Sequence, residues 1–240
     1  MKIVYFGHGS FGAVCLDAIL GAGFDVVQIY THPQTMEPLD QEKPHDVTAV
    51  AERYGVRARA IEPGEIKNLA AELKALSPDL IVAVTWRGLF SKEILDIPKR
   101  GAVNLHGSLL PRWRGNAPVT WAILSGDKET GASVHFMDEG MDTGNIIEQV
   151  RVLISLEDDV CDVLRRLLEE DGPLLVRALR KLEDPAFKGA PQDHAKASIG
   201  KKRGLEDGLI DWNWAAPRIH DWVRAQSRPL AGAFSFINGK

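Results

Sequence analysis

A polar cluster follows a short apolar segment near the middle of the chain. Residues 101–103 lead into the run Asn104-Leu105-His106-Gly107-Ser108-Leu109-Leu110-Pro111. Side chains two positions apart on an extended backbone point to the same side, so Asn104 and His106 can converge while Leu105 faces the core. Together an amide and an imidazole can stabilise an oxygen that gains charge in a transition state. The structural alternative is that Asn104 and His106 cap a turn, and that His106 is a half-buried histidine with its hydrogen bonds made inside the protein.

The elements that must position this cluster alternate along the first half of the chain. Strand patterns lie at residues 2–6, 25–30, 57–61 and 80–84, and helix patterns lie between them at 13–22, 46–54 and 65–76. This alternation predicts an α/β fold with a doubly wound, mainly parallel sheet. Ligands of such folds sit beyond the carboxyl ends of the strands, so the glycine-rich turn, Trp86 and Asn104 are expected to cluster there.

The second half of the chain has a different pattern. Two longer strands at 131–137 and 146–154 are expected to extend the same sheet, followed by an amphipathic helix at 157–182 and a last helix at 216–226. We therefore predict a catalytic domain at 1–184. Residues 185–240 are expected to hold a linker, a C-terminal helix and the start of a C-terminal domain that is either naturally short or truncated.

Composition excludes several classes of protein. The 240 residues have a formal net charge of −4 and only two cysteines, Cys15 and Cys161. Neither a disulfide framework nor a zinc site is expected from them. No apolar run approaches the ~20 residues of a membrane span, and residues 1–7 lack the pattern of a signal peptide. A cytoplasmic location with no membrane partner is the expectation.

The turn Gly7-His8-Gly9-Ser10-Phe11-Gly12 matches G-x-G-x-x-G between a strand and a helix. This pattern raises an NAD-dependent oxidoreductase as a remote alternative. That fingerprint expects an acidic residue at the end of the second strand, where this sequence has Ile29-Tyr30-Thr31-His32. The turn could still hold a phosphate of another substrate at the helix N-terminus.

Three linked motifs resemble the folate-dependent formyltransferase family. They are the Asn-x-His of residues 104–106, the Ser-Leu-Leu-Pro of residues 108–111, and the run Met137-Asp138-Glu139-Gly140-Met141-Asp142-Thr143-Gly144. The similarity runs over the whole chain and includes Ile210-Asp211-Trp212, Ile219-His220 and Gly232-Ala233-Phe234. It implies a Rossmann-like fold and transfer of a formyl group from 10-formyltetrahydrofolate to an amine, with no metal.

By this resemblance Asn104, His106 and Asp142 are the catalytic residues. Asn104 and His106 would stabilise the formyl oxygen as it gains charge, and Asp142, or a water that it orients, would take the proton from the amine. An Asp142 carboxylate close to His106 would raise the pKa of the histidine and favour its imidazolium form.

The resemblance also implies the surroundings of the folate ring. These are assigned to Trp86, Gly88, Leu89, Ser108, Leu110 and Asp138. For Trp86 the alternative is a surface aromatic-cation pair with Arg87.

The acceptor amine is the finer question. The loop of residues 34–43 is mainly acidic, whereas members that formylate initiator tRNA carry a basic insertion there, and tRNA phosphates should avoid an acidic loop. Gly107 and the run of residues 204–212 look more like sugar-nucleotide N-formyltransferases. A nucleotide-linked amino sugar, such as one bearing 4-amino-4-deoxyarabinose, is therefore expected, with methionyl-tRNA formylation as the alternative.

Two basic groups could meet a pyrophosphate of that acceptor. They are Arg112 with Arg114, and the run Lys201-Lys202-Arg203, for which a solvated loop is the bland alternative. Many family members dimerise, so a homodimer is a further option.

Overall fold

Nine strands and seven helices are assigned in the computed structural model, which describes residues 1–33, 46–228 and 230–236. The strands are β1 (Lys2–Gly7), β2 (Asp25–Thr31), β3 (Ala58–Ala60), β4 (Leu80–Val84), β5 (Ala102–His106), β6 (Arg114–Gly115), β7 (Glu129–Phe136), β8 (Ile146–Leu153) and β9 (Ile199–Gly200). The helices are α1 (Gly9–Gly21), α2 (Val47–Arg53), α3 (Ala70–Leu76), α4 (Lys92–Leu95), α5 (Pro118–Leu124), α6 (Val160–Lys181) and α7 (Ala216–Arg224).

Seven of these strands form one sheet in the order β3-β2-β1-β4-β5-β7-β8, and β6 pairs with β9 separately. The first five are parallel, and β7 and β8 are antiparallel. Gly7 is level with Val84, which is level with Leu105, so β1, β4 and β5 end at one edge. The mainly parallel, doubly wound sheet expected from the sequence is confirmed.

Two hydrophobic cores cover the two faces of the sheet. One core packs α1, α5 and α6 against residues such as Leu105. The other packs α3, α4 and the 3₁₀ helix Pro63–Asn68 against residues such as Ala83 and Ala102. Because side chains alternate along a strand, Asn104 and His106 lie on the second side, called here the α3 face.

Several element boundaries differ from the sequence expectation. The helix predicted at 65–76 is divided into a 3₁₀ helix, Pro63–Asn68, which begins with Pro63 and a capping box between Glu62 and Glu65, and α3, which starts at Ala70. The strand predicted at 101–103 runs on to His106, since it pairs with β4 and β7 on both sides. The acidic loop at 34–43 lies outside the described residues, as do Pro229 and the last four positions.

No helix in the described ranges combines the length and apolarity needed to cross a bilayer. The longest of them, α6, is amphipathic and begins with a capping box in which Asp159 and Asp162 each accept from the other's backbone N–H. Such reciprocal bonds satisfy donors that a helix start would otherwise leave unpaired.

A buried carboxyl interrupts the apolar side of α6. Asp171 is only 2% exposed, and its Oδ1 has no hydrogen-bond partner among the described residues. Burial, with a smaller contribution from Glu170, raises the pKa of Asp171 to about 8. The folded protein therefore holds this carboxyl protonated at neutral pH, whereas the unfolded chain ionises it.

We expect the contribution of Asp171 to the stability of the protein to fall as pH rises from about 4 to about 8, because the native state binds the Asp171 proton more tightly than the unfolded state does. Asp171→Asn should flatten this dependence and be the more stable form at alkaline pH, by on the order of a few kcal/mol. Urea unfolding across this range measures both. Glu169→Gln, an exposed change on the same helix, is the control, and equal slopes in Asp171→Asn and wild type would contradict the assignment.

Candidate active site

The Asp142 carboxylate is the centre of a polar cluster on the α3 face. Its Oδ2 accepts from the Gly115 backbone N–H at 2.8 Å and faces His106 Nδ1 at 3.6 Å. Its Oδ1 faces His135 Nε2 at 3.5 Å. The side chain retains 16% exposure, so a reactant can still reach it.

Asn104 is tied to the same cluster through His135. The two residues are opposite each other in the β5–β7 pairing, and Asn104 Nδ2 lies 3.3 Å from His135 Nε2. His135 Nδ1 lies 2.8 Å from the Phe136 carbonyl, which can only accept, so Nδ1 carries the hydrogen. His135 Nε2 thus lies 3.3 Å from the Asn104 amide and 3.5 Å from Asp142 Oδ1, and it links the two side chains.

Sequence reasoning missed His135. It lies inside a strand pattern two residues before Met137, where a histidine is ordinarily a satisfied core residue. The available signal was the alternation of side chains along the strand, which puts His135 on the same face as Ser133 and on the opposite face from the buried Val134. Only the antiparallel register with β5 shows that this face meets Asn104.

His106 is almost fully buried and has a hydrogen bond at one ring nitrogen. Its Nε2 donates to the Trp113 carbonyl at 2.8 Å, while Nδ1 faces Asp142. Burial lowers the pKa of His106 below its usual value, although Asp142 and Trp113 oppose the shift. The sequence-based expectation of a raised pKa was therefore wrong in its net direction, because the desolvation cost exceeds the attraction of the carboxylate.

Asp142 itself is held ionised. Burial alone would raise its pKa, but the contacts with His135, His106 and the Gly115 N–H together lower the pKa of Asp142 to about 2. At neutral pH the cluster thus offers a carboxylate able to accept a proton beside an amide able to donate a hydrogen bond.

Hydrogen bonds to backbone carbonyls fix the position of Asp142. Its φ of 54° is in the left-handed region, which costs energy for a residue other than glycine. Gln192 Nε2 donates to the carbonyls of Asp142 at 2.8 Å and Gly144 at 2.7 Å. The buried Arg114 donates in turn to Gln192 Oε1 through two nitrogens, at 3.1 and 2.6 Å. Arg114, considered above for a pyrophosphate, is thereby engaged inside the protein.

Ser108 and Leu110 fold the loop after β5. Ser108 Oγ donates to the Arg112 carbonyl at 2.7 Å, and the Leu110 N–H donates to Ser133 Oγ at 3.1 Å. Both side chains are buried. A contact from either of them to folate stays a prediction. Arg112 pairs with Asp127 at 2.7 Å.

Trp86, Gly88 and Leu89 follow β4 beside the cluster. Trp86 stacks on His32 with ring centroids 3.9 Å apart, and its Nε1 is buried with no hydrogen-bond partner among the described residues. A Cβ on Gly88 would lie 2.7 Å from that nitrogen, so glycine keeps the approach open. Leu89 is 93% exposed. An apolar wall with one buried, unused donor fits a flat heteroaromatic ring.

Asp138 lies in the loop between β7 and Asp142. Its Oδ1 accepts from the Gly140 N–H at 3.0 Å and from Thr143 Oγ1 at 2.5 Å, so it shapes that loop. Met137 packs with Trp86 against the core of the α3 face, which puts the loop and the residues after β4 over the same core as Asn104.

The glycine-rich turn has a structural reason for its spacing. A Cβ on Gly12 would lie 2.9 Å from the Gly7 carbonyl carbon, so glycine permits α1 to pack closely on β1. The first residue after β2 is His32, in the place where a ribose-binding acid is expected. Thr85 Oγ1 donates to the His8 carbonyl, which confirms that the turn adjoins the segment carrying Trp86. Across the described ranges no three His, Cys, Asp or Glu side chains are grouped to hold a metal.

A doubly wound sheet with an amide, an imidazole and an ionised carboxylate on one face suits chemistry at a carbonyl carbon. Residues 1–179 match the family described as formyl transferase, and residues 204–240 match the formyl transferase C-terminal domain. The chain belongs to the formyl transferase family and is a formyl-transferring enzyme.

Its sequence relatives include methionyl-tRNA formyltransferases. The protein of that name from Anaeromyxobacter sp. (strain K) is 38% identical, over 100% of this chain and 77% of its own length. The one from Marinobacter nauticus is 36% identical, over 98% of this chain and 76% of its own length.

Solved structures share the fold. The N-formyltransferase of Helicobacter canadensis, in complex with folinic acid and dTDP-3-aminofucose, has a TM-score of 0.75 at 20% identity, covering 100% of this chain and 85% of that one. The phosphoribosylglycinamide formyltransferase of Bacillus halodurans has a TM-score of 0.66 at 25% identity, covering 78% of this chain and 97% of that one.

We expect Asp142→Asn to lower the pKa of His106 further, because it removes the charge that opposes the effect of burial. Asparagine tolerates the left-handed backbone, so the loop should keep its shape. NMR titration of the His106 ring nitrogens measures the shift, with Asp138→Asn as a charge-matched control in the same loop. An unchanged His106 titration in Asp142→Asn would contradict the claim that the Asp142 charge acts on His106.

Proposed function

We propose that the protein transfers the formyl group of 10-formyltetrahydrofolate to the amino group of methionyl-tRNA. The observation that carries the proposal is the ionised Asp142 placed, through His135, beside the Asn104 amide. A formyl transfer needs both groups, since an oxygen gains charge while the attacking nitrogen loses a proton.

Each residue has a defined part in this proposal. Asn104 Nδ2, which lies 3.3 Å from His135 Nε2, donates a hydrogen bond to the formyl oxygen as charge develops. Asp142 Oδ1, or a water bound to it, accepts the proton released by the amine as the new bond from nitrogen to the formyl carbon forms. The bond from that carbon to N10 of the folate then breaks, and N10 takes up a proton as tetrahydrofolate leaves. His106, with its lowered pKa, holds the Trp113 carbonyl at Nε2 and presents Nδ1 to the carboxylate.

The donor supplies an activated formyl group, and the chain supplies its binding surface. Trp86 and Gly88 would form the wall for the pterin ring, where glycine at position 88 keeps the backbone close to the Trp86 ring. Leu89 and Asp138 would border this wall, one beyond β4 and the other in the loop that ends at Asp142. Ser108 and Leu110 would contribute to binding the pterin ring by holding the shape of the loop after β5.

Methionyl-tRNA is favoured as acceptor by sequence similarity. Relatives with that activity in their names are 33–38% identical over 98–100% of this chain. This similarity outweighs the acidic loop at 34–43, Gly107 and the run of residues 204–212, on which the preference for a sugar nucleotide rested. A nucleotide-linked amino sugar is the second candidate, supported by the fold shared with the Helicobacter canadensis enzyme.

The remaining organisation forms part of the same proposal. The catalytic part spans residues 1–184, and residues 185–240 hold a linker, a C-terminal helix and the start of a C-terminal domain. A cytoplasmic location and a homodimer are retained from the sequence as predictions.

The test supplies 10-formyltetrahydrofolate with methionyl initiator tRNA or with a panel of nucleotide-linked amino sugars. We expect formylated methionyl-tRNA, detected by mass, together with release of tetrahydrofolate. Asn104→Ala should lower the rate by about 10²-fold or more, because an oxyanion donor is lost. Asn145→Ala, which removes an amide bonded to the Lys188 carbonyl outside the cluster, should leave the rate near wild type.

Either of two results would contradict the proposal. Product on sugar nucleotides alone would transfer the assignment to the second candidate. Full activity in Asn104→Ala would show that the proposed active site is wrong.

A further inference from the structure

A buried histidine follows β2 at the edge of the sheet where β1 and β4 also end. His32 is only 6% exposed and lies where a dinucleotide-binding fold would have an acidic residue. In the strand order, β1 separates β2 from β4. The His32 ring extends past the end of β1, where it makes a T-shaped contact with the His8 ring at 5.3 Å, and stacks on Trp86 after β4. It therefore contacts the segments that follow both of these strands.

The two ring nitrogens of His32 have different partners. Nδ1 lies 3.0 Å from the Ile61 carbonyl oxygen, which can only accept, so Nδ1 carries the hydrogen. Nε2 lies 3.3 Å from the Arg87 backbone nitrogen, whose N–H can only donate, so Nε2 is the acceptor. These two bonds define a neutral ring in a single tautomer. The ring thus links the segment after β3 to the segment after β4.

The linked segments carry and support the proposed donor wall, which consists of Trp86 and Gly88. A Cβ on Gly88 would lie 2.7 Å from Trp86 Nε1 and 2.8 Å from the Pro63 carbonyl oxygen, so the wall lies directly against the segment after β3. Trp86 stacks on His32 with an angle of 25° between the ring planes, and the Phe6 ring makes a T-shaped contact with it at 5.0 Å. Displacing His32 would therefore displace the ring on which Trp86 stacks.

The surroundings of His32 favour its neutral form. Burial lowers the pKa of His32, and His8 and Arg87 act in the same direction. The bond to the Ile61 carbonyl and the charge of Glu62 oppose this shift without reversing it. In the described ranges, the titratable or charged groups that face the ring are His8, Arg87 and Glu62. A proton added to Nε2 would place a second donor against the Arg87 N–H, and that hydrogen bond would be lost.

We propose that His32 is a positioning residue that holds Trp86 and Gly88 in the arrangement that binds the pterin ring of the donor. The inference rests on the proposed donor wall and goes beyond it by naming the side chain that keeps the wall in place. The bond from the Arg87 N–H is the important one, because it ties the residue between Trp86 and Gly88 to the end of β2. Since His32 acts through these neighbours, its loss should weaken donor binding more than it slows the chemical step.

Donor binding is measured by calorimetry with folinic acid, a stable formyl-tetrahydrofolate, so that no acceptor is needed. Two amide variants separate the roles of the two ring nitrogens. The Asn amide can donate to Ile61 in place of Nδ1 but gives the Arg87 N–H no acceptor, whereas the longer Gln can place its oxygen where Nε2 lies. We expect His32→Asn to weaken binding about tenfold and His32→Gln to bind within about twofold of wild type at neutral pH.

The pH dependence of binding gives a readout that a merely structural role would not change. As pH falls below the usual histidine pKa of about 6.5, wild type gains a proton on Nε2 and should lose affinity for folinic acid. His32→Gln does not titrate and should lose less affinity over the same range. His220→Gln removes an exposed histidine on α7 and is the matched control, which should follow the pH dependence of wild type.

Kinetics provide the second readout. In formyl transfer, His32→Asn should raise KM for 10-formyltetrahydrofolate about tenfold and leave kcat within about twofold of wild type. Thermal unfolding checks each variant, and the pH dependence of His32→Gln decides the question if His32→Asn folds poorly.

The outcomes separate this role from the proposed function. The positioning role would be overturned if His32→Asn bound folinic acid as wild type does, or if His32→Gln lost affinity on acidification as steeply as wild type. Trp86→Ala shows which step failed. Weaker binding in Trp86→Ala with unchanged binding in His32→Asn would reject His32 alone, and unchanged binding in both would reject the donor wall as well. Folinic acid binding involves no acceptor, so a failure to formylate methionyl-tRNA would leave these results standing.

Discussion

The site depends on keeping one carboxylate ionised in a largely buried position. Asp142 is only 16% exposed, and desolvation alone would favour its protonated form. The Gly115 N–H, His135 and His106 together reverse that tendency. Because these groups belong to three separate segments, a working carboxylate requires β5, β6 and β7 to be assembled correctly. The segment that carries Gln192 must also be in place, because Gln192 donates a hydrogen bond to the carbonyl of Asp142, whose backbone is strained.

The change from parallel to antiparallel pairing at β5 makes this assembly possible. On its parallel side β5 lies next to β4, after which come Trp86 and Gly88, the proposed folate wall. On its antiparallel side it meets β7, which supplies His135. The loop after β7 then returns to bring Asp142 to His106. One strand thus connects the proposed donor wall, the proposed oxyanion donor and the proposed proton acceptor.

The alternation of strand and helix patterns predicts the fold, and the resemblance to the formyltransferase family implies the catalytic candidates Asn104, His106 and Asp142. Period-two alternation places Asn104 and His106 on one side, and the structure confirms it. His135 depends on a pairing register between strands that are distant in sequence, which local pattern does not contain. The expected rise in the pKa of His106 was wrong in direction. A motif can indicate that the Asp142 charge lies near the histidine, but it does not show how deeply the histidine is buried. Arg114 was a candidate anion ligand until the structure placed it against Gln192.

The central claim is that Asn104 and Asp142 act as one unit linked by His135. Its most direct test compares kcat/KM for formyl transfer in Asn104→Ala, Asp142→Asn and the double variant. Each single change should cost about 10²-fold or more, and the double variant should be little worse than the poorer single one, because either change already disables the unit. Losses that multiply in the double variant would show that the two side chains contribute independently, which would contradict this account.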